Sequence, residues 1–297
     1  MADLTEAKTA REKLTLAQLA TRESLKWCPG CGDYAILLAL KQAIIELGLK
    51  QHEVVVVTGV GCADKLAHSI KVYGVHALHG REIPVASGIK LANHTLTVIA
   101  QAGDGDVYGI GMGHFIHACR RNLDITCLVH DNMVYGLTKG QYSPTAPKGF
   151  KSTSSPHGSI EQPVNPISLA ISAGASFVAR SFAGNVPHMT RTIVAAVRHR
   201  GFALVDILQP CVTYNHEQTY DFYQQRVYDL QEAGHNTSDK AAARAKAEEW
   251  GERIPIGIFY QEHKPTYEDE LPQLKAGPLA RQPIEGIDIT PLMELYV

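Results

Sequence analysis

Short, unbroken runs of apolar residues recur along the first two thirds of the chain and alternate with segments of helical spacing. The apolar runs include "EVVVVTG", "TLTVIAQAG", "DITCLVHD", "SFVARSF" and "FALVDILQP". Runs that lack polar alternation are typical of parallel strands buried on both faces. Between them lie helical patterns such as "DYAILLALKQAIIELGL", "ISLAISAGA" and "VPHMTRTIVAAVRHR". The alternation predicts an α/β fold with a doubly wound, mostly parallel sheet.

Composition along the chain divides it into three regions. Residues 1–26 are polar and are expected to form an arm, and residues 27–211 hold the alternating pattern. Residues 212–297 are polar, aromatic and rich in Pro and charge, so we predict an extension that wraps the core. Residues 133–166 form a loop too long to be a simple connector, and such loops are often functional.

Charge and hydropathy exclude several classes of partner. The 297 residues carry 28 Lys and Arg against 30 Asp and Glu, a net charge of −2, so no basic surface favours nucleic acid or an anionic membrane. No segment approaches the roughly 18 apolar residues of a membrane helix, and the first residues lack a secretory pattern. We therefore expect a cytoplasmic protein.

Six cysteines separate into two kinds by their place in the predicted elements. Cys119 lies inside a helix and Cys127 inside a strand, where a buried, small apolar role is the simplest interpretation. The other four lie at a helix start or just after a strand: Cys28, Cys31, Cys62 and Cys211. Four thiolates at one sheet edge suit zinc or an iron-sulphur cluster. A redox-active Cys-x-x-Cys pair and a bare turn remain alternatives.

A second motif follows two neighbouring strands. Gly103–Asp106, "GDGD", lies between a strand and a helix, where glycines let the backbone approach a phosphate. Asn132 ends the next strand, so its amide oxygen is expected beside Asp104. Together with diphosphate oxygens and water, these groups would supply the hard ligands that Mg²⁺ prefers. A plain strand-to-helix turn is the alternative.

Residues 103–145, together with "WCPGCG", "GVGC" and "QPCVTYN", closely resemble the β subunit of 2-oxoacid:ferredoxin oxidoreductases, the 2-oxoglutarate type in particular. The resemblance extends over about residues 27–262 and implies the thiamine diphosphate-binding fold with a C-terminal extension that also wraps a partner subunit. One departure from the general thiamine motif is Asp131, where Asn is common.

The resemblance also implies the site residues. It assigns one 4Fe-4S cluster to Cys28, Cys31, Cys62 and Cys211. It assigns Mg²⁺ to Asp104, Asn132 and the backbone oxygen of Val134. It places around thiamine diphosphate the residues Gly61, Cys62, Gly103, Gly105, Asp106, Gly136 and Leu137. Lys65, Lys139 and, more weakly, Arg81 are similar to basic residues that meet substrate carboxylates, although surface lysines and an Arg81–Glu82 pair are the simple alternatives. Among the histidines, only His79 is a candidate for testing.

The implied activity is the reversible, coenzyme A-dependent oxidative decarboxylation of a 2-oxoacid, with electrons passing through the cluster to ferredoxin. An obligate α subunit, in an α2β2 assembly, would supply the glutamate that activates thiamine. The two lysines favour 2-oxoglutarate over pyruvate or a broad substrate range. Two other functions remain open: a non-oxidative thiamine enzyme with structural zinc, and a zinc-stapled assembly subunit without activity.

Overall fold

A computed structural model describes residues 13–296 of the chain. The strands are β1 Val54–Thr58, β2 Tyr73–His76, β3 Thr97–Gly103, β4 Thr126–Asp131, β5 Val134–Tyr135, β6 Gln141–Tyr142, β7 Phe177–Phe182, β8 Ala203–Leu208, β9 Val227–Asp229 and β10 Ile254–Gln261. The helices are α1 Asp33–Glu46, α2 Glu82–Ala92, α3 Met112–Arg121, α4 Pro166–Ala173, α5 Val186–Arg198, α6 Tyr220–Gln224, α7 Lys240–Ala247 and α8 Thr290–Met293.

One eight-stranded sheet organises the molecule in the order β2-β1-β3-β4-β8-β7-β10-β9. All neighbouring pairs are parallel except β7 and β10, which run antiparallel. The predicted doubly wound, mostly parallel sheet is therefore confirmed.

Alternate residues of the central strands point to opposite faces, and each face is covered by helices. In β1, Val54 and Val56 belong to the apolar cluster formed with α1 and α5. Val55 and Val57 belong to the cluster formed with α2, α3 and α4 on the other face. Since both faces are buried, every position of β1, β4, β7 and β8 must be shielded from water, which explains their unbroken apolar runs.

The chain reverses its direction of travel across the sheet between β1 and β3. From β1 it goes outward to the edge strand β2, and it then returns to place β3 on the other side of β1. A crevice opens beyond the carboxyl ends of strands at such a switch point, and ligands of open α/β sheets bind there. The segments after β1, β3, β4 and β8 all reach this edge and contain Cys62, Asp104, Asn132 and Cys211. Cys28 and Cys31 come to the same edge from the turn before α1.

Two regions hold structure that the strand-and-helix pattern did not predict. The loop of residues 133–166 contains the small hairpin β5–β6. Residues 212–297 supply β9 and β10 to the main sheet, and β10 lies beside β7 of the core. The division into three regions stays a prediction, and residues 1–12 of the expected arm lie outside the described residues.

Within residues 13–296, every helix is too short or too polar to cross a membrane.

Candidate functional site

A pocket of about 240 Å³ lies at the switch point between β1 and β3. Its walls come from the segments that follow β1, β2, β3 and β4. They include the sequence-predicted residues Gly61, Cys62, Gly103, Asp104, Gly105, Asp106, Asn132, Val134, Gly136 and Leu137. The structure thus brings together all the residues predicted to surround the thiamine cofactor.

Asp104 is buried at the end of β3 and receives hydrogen bonds on a single oxygen. The backbone N–H of Met133 (3.2 Å) and the hydroxyls of Ser143 and Thr145 (2.5 Å for Thr145) all donate to Oδ2. Burial raises the pKa of Asp104 to about 6, against the lowering effect of the two hydroxyls, so the carboxylate is ionised at neutral pH. Because these donors occupy Oδ2, Oδ1 remains for a cation.

Asp131 lies beside this group, next to the Thr145 hydroxyl. Thr145 Oγ1 is 2.7 Å from Asp131 Oδ1, yet its single proton is already donated to Asp104. Burial, Asp206 and Asp104 together raise the pKa of Asp131 well above its usual value. The Thr145 hydroxyl therefore lies between the Asp104 and Asp131 carboxyl groups and holds the two close together.

Asn132 is held at both ends of its amide. Its Oδ1 accepts the backbone N–H of Val134 at 3.0 Å, and its Nδ2 donates to Gln209 Oε1 at 3.1 Å. Asn215 supports the backbone by donating to the Asn132 carbonyl at 3.2 Å. The amide oxygen is thereby fixed beside the pocket without help from a ligand.

Asp106 connects three loops of the pocket. Its Oδ1 accepts from Val60 N–H (3.2 Å), Gly80 N–H (2.9 Å) and His79 Nδ1 (2.5 Å), and its Oδ2 accepts from Gly103 N–H (3.3 Å). A carboxylate so fully engaged cannot also contact a diphosphate favourably. Through these hydrogen bonds, Asp106 and His79 instead hold the three loops of the pocket wall together.

The cysteines Cys28, Cys31, Cys62 and Cys211 line a second recess at the same edge. The Cys28–Cys31 segment is a tight turn closed by the Cys31 N–H to Cys28 C=O bond at 3.0 Å, and Gly30 has the positive φ of 82° that the turn needs. All six cysteines carry free thiols. As predicted, Cys119 and Cys127 are instead fully buried in the apolar core.

Burial in the recess destabilises the thiolate form of a cysteine that has no bound cation. Desolvation, reinforced by Asp33, raises the pKa of Cys62 to about 11 and that of Cys31 further still. Positive charge bound by the sulphurs would offset this cost. Among residues 13–296, however, no three His, Cys, Asp or Glu side chains come close enough to hold a single metal ion.

The two recesses share a wall. Cys62, Asn132 and Gly136 line both of them. A Cβ atom at Gly136 would lie in van der Waals contact with the sulphurs, 3.4 Å from Cys62 Sγ and 4.0 Å from Cys211 Sγ, so the pocket wall at Gly136 directly adjoins these cysteines. The candidate cofactor pocket and the four cysteines are therefore separated by a single layer of residues.

Comparisons with known proteins agree with this arrangement. Residues 45–207 match the family model for the thiamine pyrophosphate enzyme C-terminal TPP binding domain, and residues 211–276 match that for the C-terminal part of the pyruvate ferredoxin oxidoreductase beta subunit. Subunit beta of the 2-oxoacid:ferredoxin oxidoreductase 1 of Aeropyrum pernix is 48% identical over 283 residues, which cover 90% of this chain and 89% of the relative. The chain belongs to the β subunits of the 2-oxoacid:ferredoxin oxidoreductases.

Two further relatives of this family are of the 2-oxoglutarate type. The 2-oxoglutarate oxidoreductase subunit KorB of Mycobacterium tuberculosis is 45% identical over 193 residues, 65% of this chain and 52% of the relative. The solved 2-oxoglutarate:ferredoxin oxidoreductase of Magnetococcus marinus, with 2-oxoglutarate, coenzyme A and succinyl-CoA bound, superposes with a TM-score of 0.89 at 35% identity and covers 98% of this chain and 99% of that one. The family fold is thus present over nearly the whole β subunit.

The three basic residues predicted to meet substrate take different positions in this β subunit. Lys65 lines the cysteine recess, and its Nζ donates to the Lys26 carbonyl at 2.9 Å. Lys139 is exposed just after Thr138 of the pocket wall. Arg81 donates from Nη1 to the carbonyls of Gly80 (3.0 Å) and Ile110 (3.3 Å) near the pocket. Their role in substrate binding stays a prediction.

Several side chains of this 2-oxoacid oxidoreductase site were missed by the sequence motifs. Ser143 and Thr145 lie within the motif segment of residues 103–145 and Gln209 in "QPCVTYN", but nothing in their spacing shows which atoms they reach. Two more are the carboxyl groups of Asp64 and Glu82, which are buried without a hydrogen-bond partner. Desolvation, followed by repulsion from Asp106, raises the pKa of Asp64 to about 9 and that of Glu82 to about 8.

Proposed function

We propose that this β subunit takes part in the coenzyme A-dependent oxidative decarboxylation of a 2-oxoacid, most favourably 2-oxoglutarate, with electrons leaving through a 4Fe-4S cluster to ferredoxin. The observation that carries the proposal is the wall of Cys62, Asn132 and Gly136 shared by the cofactor pocket and the cysteine recess. A cofactor that releases electrons and a cluster that accepts them would lie next to each other there.

The residues of the pocket fit Mg²⁺ and thiamine diphosphate. Asp104 Oδ1, Asn132 Oδ1 and the Val134 carbonyl would supply three hard oxygen ligands, and diphosphate and water would complete the octahedron. Bound thiamine diphosphate supplies the carbanion chemistry that decarboxylates 2-oxoacids. The role of the chain itself is to hold the ligand oxygens in place through Gln209, Ser143 and Thr145.

The cysteine recess fits a cluster better than zinc. Zinc draws four sulphurs to about 2.3 Å from one centre. In a 4Fe-4S cluster each thiolate binds a different iron, so the sulphurs stay apart. A single cluster also calls for an external ferredoxin, and the exposed Cys28 turn is the nearest place for it to dock.

An α subunit would cover the mouth of the cofactor pocket. Val60 and Leu137 line the pocket yet are 39% and 50% exposed, and Leu78 and Ile110 lie nearby at 76% and 55%. Exposed apolar side chains grouped in this way are typical of a protein interface. The name "subunit beta" carried by the relatives supports an α partner in the same complex, for which we propose an α2β2 assembly.

The pocket is tested by Asp104→Asn, made in the complex of both subunits. Loss of the charge is expected to abolish Mg²⁺-dependent retention of thiamine diphosphate while the cluster absorbance near 400 nm is kept. Asp288→Asn, at an exposed aspartate, serves as the matched control. Full retention of thiamine diphosphate by Asp104→Asn would remove the assignment of the pocket.

The cysteine recess is tested by metal analysis of the complex purified without oxygen. About four irons and four sulphides per β subunit are expected, with loss of both in Cys211→Ser and not in the core variant Cys119→Ala. Stoichiometric zinc in a colourless protein would refute the cluster and leave a zinc-stabilised thiamine enzyme or assembly subunit.

Substrate choice is tested by ferredoxin reduction with 2-oxoglutarate, pyruvate and a branched 2-oxoacid. The support for 2-oxoglutarate is the likeness to the Magnetococcus marinus enzyme over nearly the whole chain. If Lys139 or Arg81 binds the second carboxylate, Lys139→Met or Arg81→Met should lower kcat/KM for 2-oxoglutarate about tenfold more than for pyruvate. Equal losses for both substrates would exclude that role.

A further inference from the structure

Gln209 is buried between the two recesses, and its side chain bonds to one residue of each. Only 2% of its surface is exposed. Its Oε1 accepts from Asn132 Nδ2 at 3.1 Å, and its Nε2 donates to Cys31 Sγ at 3.3 Å. These two bonds form a direct polar link between a proposed Mg²⁺ ligand and a proposed cluster ligand.

Chemistry fixes the direction of this amide. A sulphur bound to iron can only accept a hydrogen bond, so the N–H end of Gln209 must face Cys31. The carbonyl end then faces Asn132, whose amide must donate and whose own oxygen is left on the pocket side. The two amides are therefore aligned head to tail, from the pocket towards the cluster.

Packing keeps Gln209 in this position. A Cβ atom at Gly32 would come within 2.6 Å of Gln209 Cγ, so the glycine after Cys31 makes room for the side chain. The backbone N–H of Gln209 donates to the Asp131 carbonyl at 2.9 Å, which ties the residue to the end of β4. The sequence "WCPGCG" thus places a hydrogen-bond acceptor, Cys31, and the space for its donor side by side.

We propose that Gln209 is a positioning residue that couples occupancy of the Mg²⁺–thiamine diphosphate site to the reduction potential of the cluster. The inference rests on the proposed function. An N–H donor to a ligand sulphur stabilises the more negative, reduced cluster and so raises its potential. A cation on Asn132 Oδ1 polarises the Asn132 amide, and this amide in turn polarises that of Gln209. The hydrogen bond from Gln209 Nε2 to Cys31 Sγ therefore becomes stronger. The cluster is accordingly a better electron acceptor when the cofactor pocket is filled.

Cys31 has a second partner, and its effect differs. Cys31 Sγ is 3.2 Å from Asp33 Oδ2, and the other oxygen of Asp33 is paired with His130 Nδ1 at 2.5 Å. This pair lies on the side of α1 and does not contact Asn132. It contributes a constant field at the sulphur, whereas the Gln209 bond changes with the pocket.

The test is a redox titration of the cluster, followed by electron paramagnetic resonance in the complex of both subunits, with and without Mg²⁺ and thiamine diphosphate. In the unmodified complex, filling the pocket should raise the potential. Gln209→Met keeps the length of the side chain but removes its donor. In the Gln209→Met complex the ratio of reduced to oxidised cluster should fall about tenfold at a given potential, which corresponds to a reduction potential about 59 mV lower. The variant should also lose most of the change in potential that the cofactor causes.

Gln218→Leu is the matched control, because this buried glutamine lies in the same part of the chain and its side-chain oxygen has no partner. It should leave both the potential and the response unchanged. A potential in Gln209→Met equal to that of the unmodified complex would overturn the proposal. If Gln209→Met does not assemble, the unmodified complex alone decides, since an unchanged potential on filling the pocket contradicts the coupling. A complex without cluster or thiamine diphosphate would instead refute the proposed function.

Discussion

Replacing Glu82 by glutamine should stabilise the protein above pH 5, because the buried carboxyl group must keep its proton. Glu82 is 0% exposed, and neither of its oxygens has a hydrogen-bond partner. Burial, and then repulsion from Asp106, raises its pKa from 4.5 to about 8. Between these two pH values the folded protein holds a proton that the unfolded chain has released. Stability is therefore full below about pH 4.5 and falls as the pH rises towards 8.

The magnitude follows from this difference in proton binding. Each pH unit above 4.5 lowers the free energy of unfolding by about 1.4 kcal/mol. The loss is therefore on the order of 3 kcal/mol at pH 7 and below 1 kcal/mol at pH 5. Glu82→Gln has nearly the same shape and cannot ionise, so it should recover this amount. For a chain of this length, about 2 °C per kcal/mol gives a rise in Tm of about 6 °C at pH 7.

Thermal unfolding followed by circular dichroism at pH 5, 7 and 8, at fixed concentrations of protein and cofactor, measures this effect. The difference between Glu82→Gln and the unmodified protein should grow with pH. Glu285→Gln, at an exposed glutamate, controls for the loss of one negative charge and should show no such trend. Equal melting temperatures of Glu82→Gln and the unmodified protein at pH 8 would refute the reasoning.

Three further predictions concern stability, each measured by denaturant or thermal unfolding. Phe115 is fully buried and packs edge-on against Tyr108 and Phe202, so Phe115→Ala should cost about 3–5 kcal/mol; Phe115→Leu should cost less. Asn165 caps α4 by accepting the Ser168 N–H at 3.1 Å, and Asn165→Ala should cost about 1–2 kcal/mol, whereas Asn165→Asp should keep most of the cap. Burial lowers the pKa of His199 to about 4, so below pH 6.5 the unfolded chain binds a proton that the folded protein does not bind. The free energy of unfolding should therefore fall by about 2 kcal/mol between pH 6.5 and pH 4. His199→Gln should reduce this dependence on pH.

The sheet could be predicted from sequence because each central strand must be apolar on both faces. The same reasoning missed β2, whose residues Tyr73–His76 are exposed and leave no apolar run. It also missed that β10 pairs with β7 and lies between β7 and β9. The pairing of two strands about 75 residues apart depends on which edge of the sheet remains free after the core has formed. The local periodicity of the sequence does not contain this information.

The candidate site was predictable at the level of elements and not of atoms. Asp104, Asn132, Cys62 and Cys211 come together because the carboxyl ends of parallel strands share one edge, and the start of α1 brings Cys28 and Cys31 to it. The convergence of Ser143 and Thr145 on Asp104 Oδ2 depends on how the loop of residues 133–166 folds back. The raised pKa of Asp131 likewise follows from its burial beside Asp206 and Asp104, which only the folded structure reveals.

The charge of the pocket favours the proposed pairing of a divalent cation with the diphosphate. Its described walls contain the carboxylates of Asp104 and Asp106 and no lysine or arginine. A diphosphate would meet net repulsion there, and backbone N–H groups alone do not compensate two carboxylates. Asp106 accepts hydrogen bonds on both oxygens from three loops, whereas the donors to Asp104 all reach Oδ2 and leave Oδ1 open. The proposed cation would therefore bind at Asp104 Oδ1 and would provide the positive charge for the diphosphate.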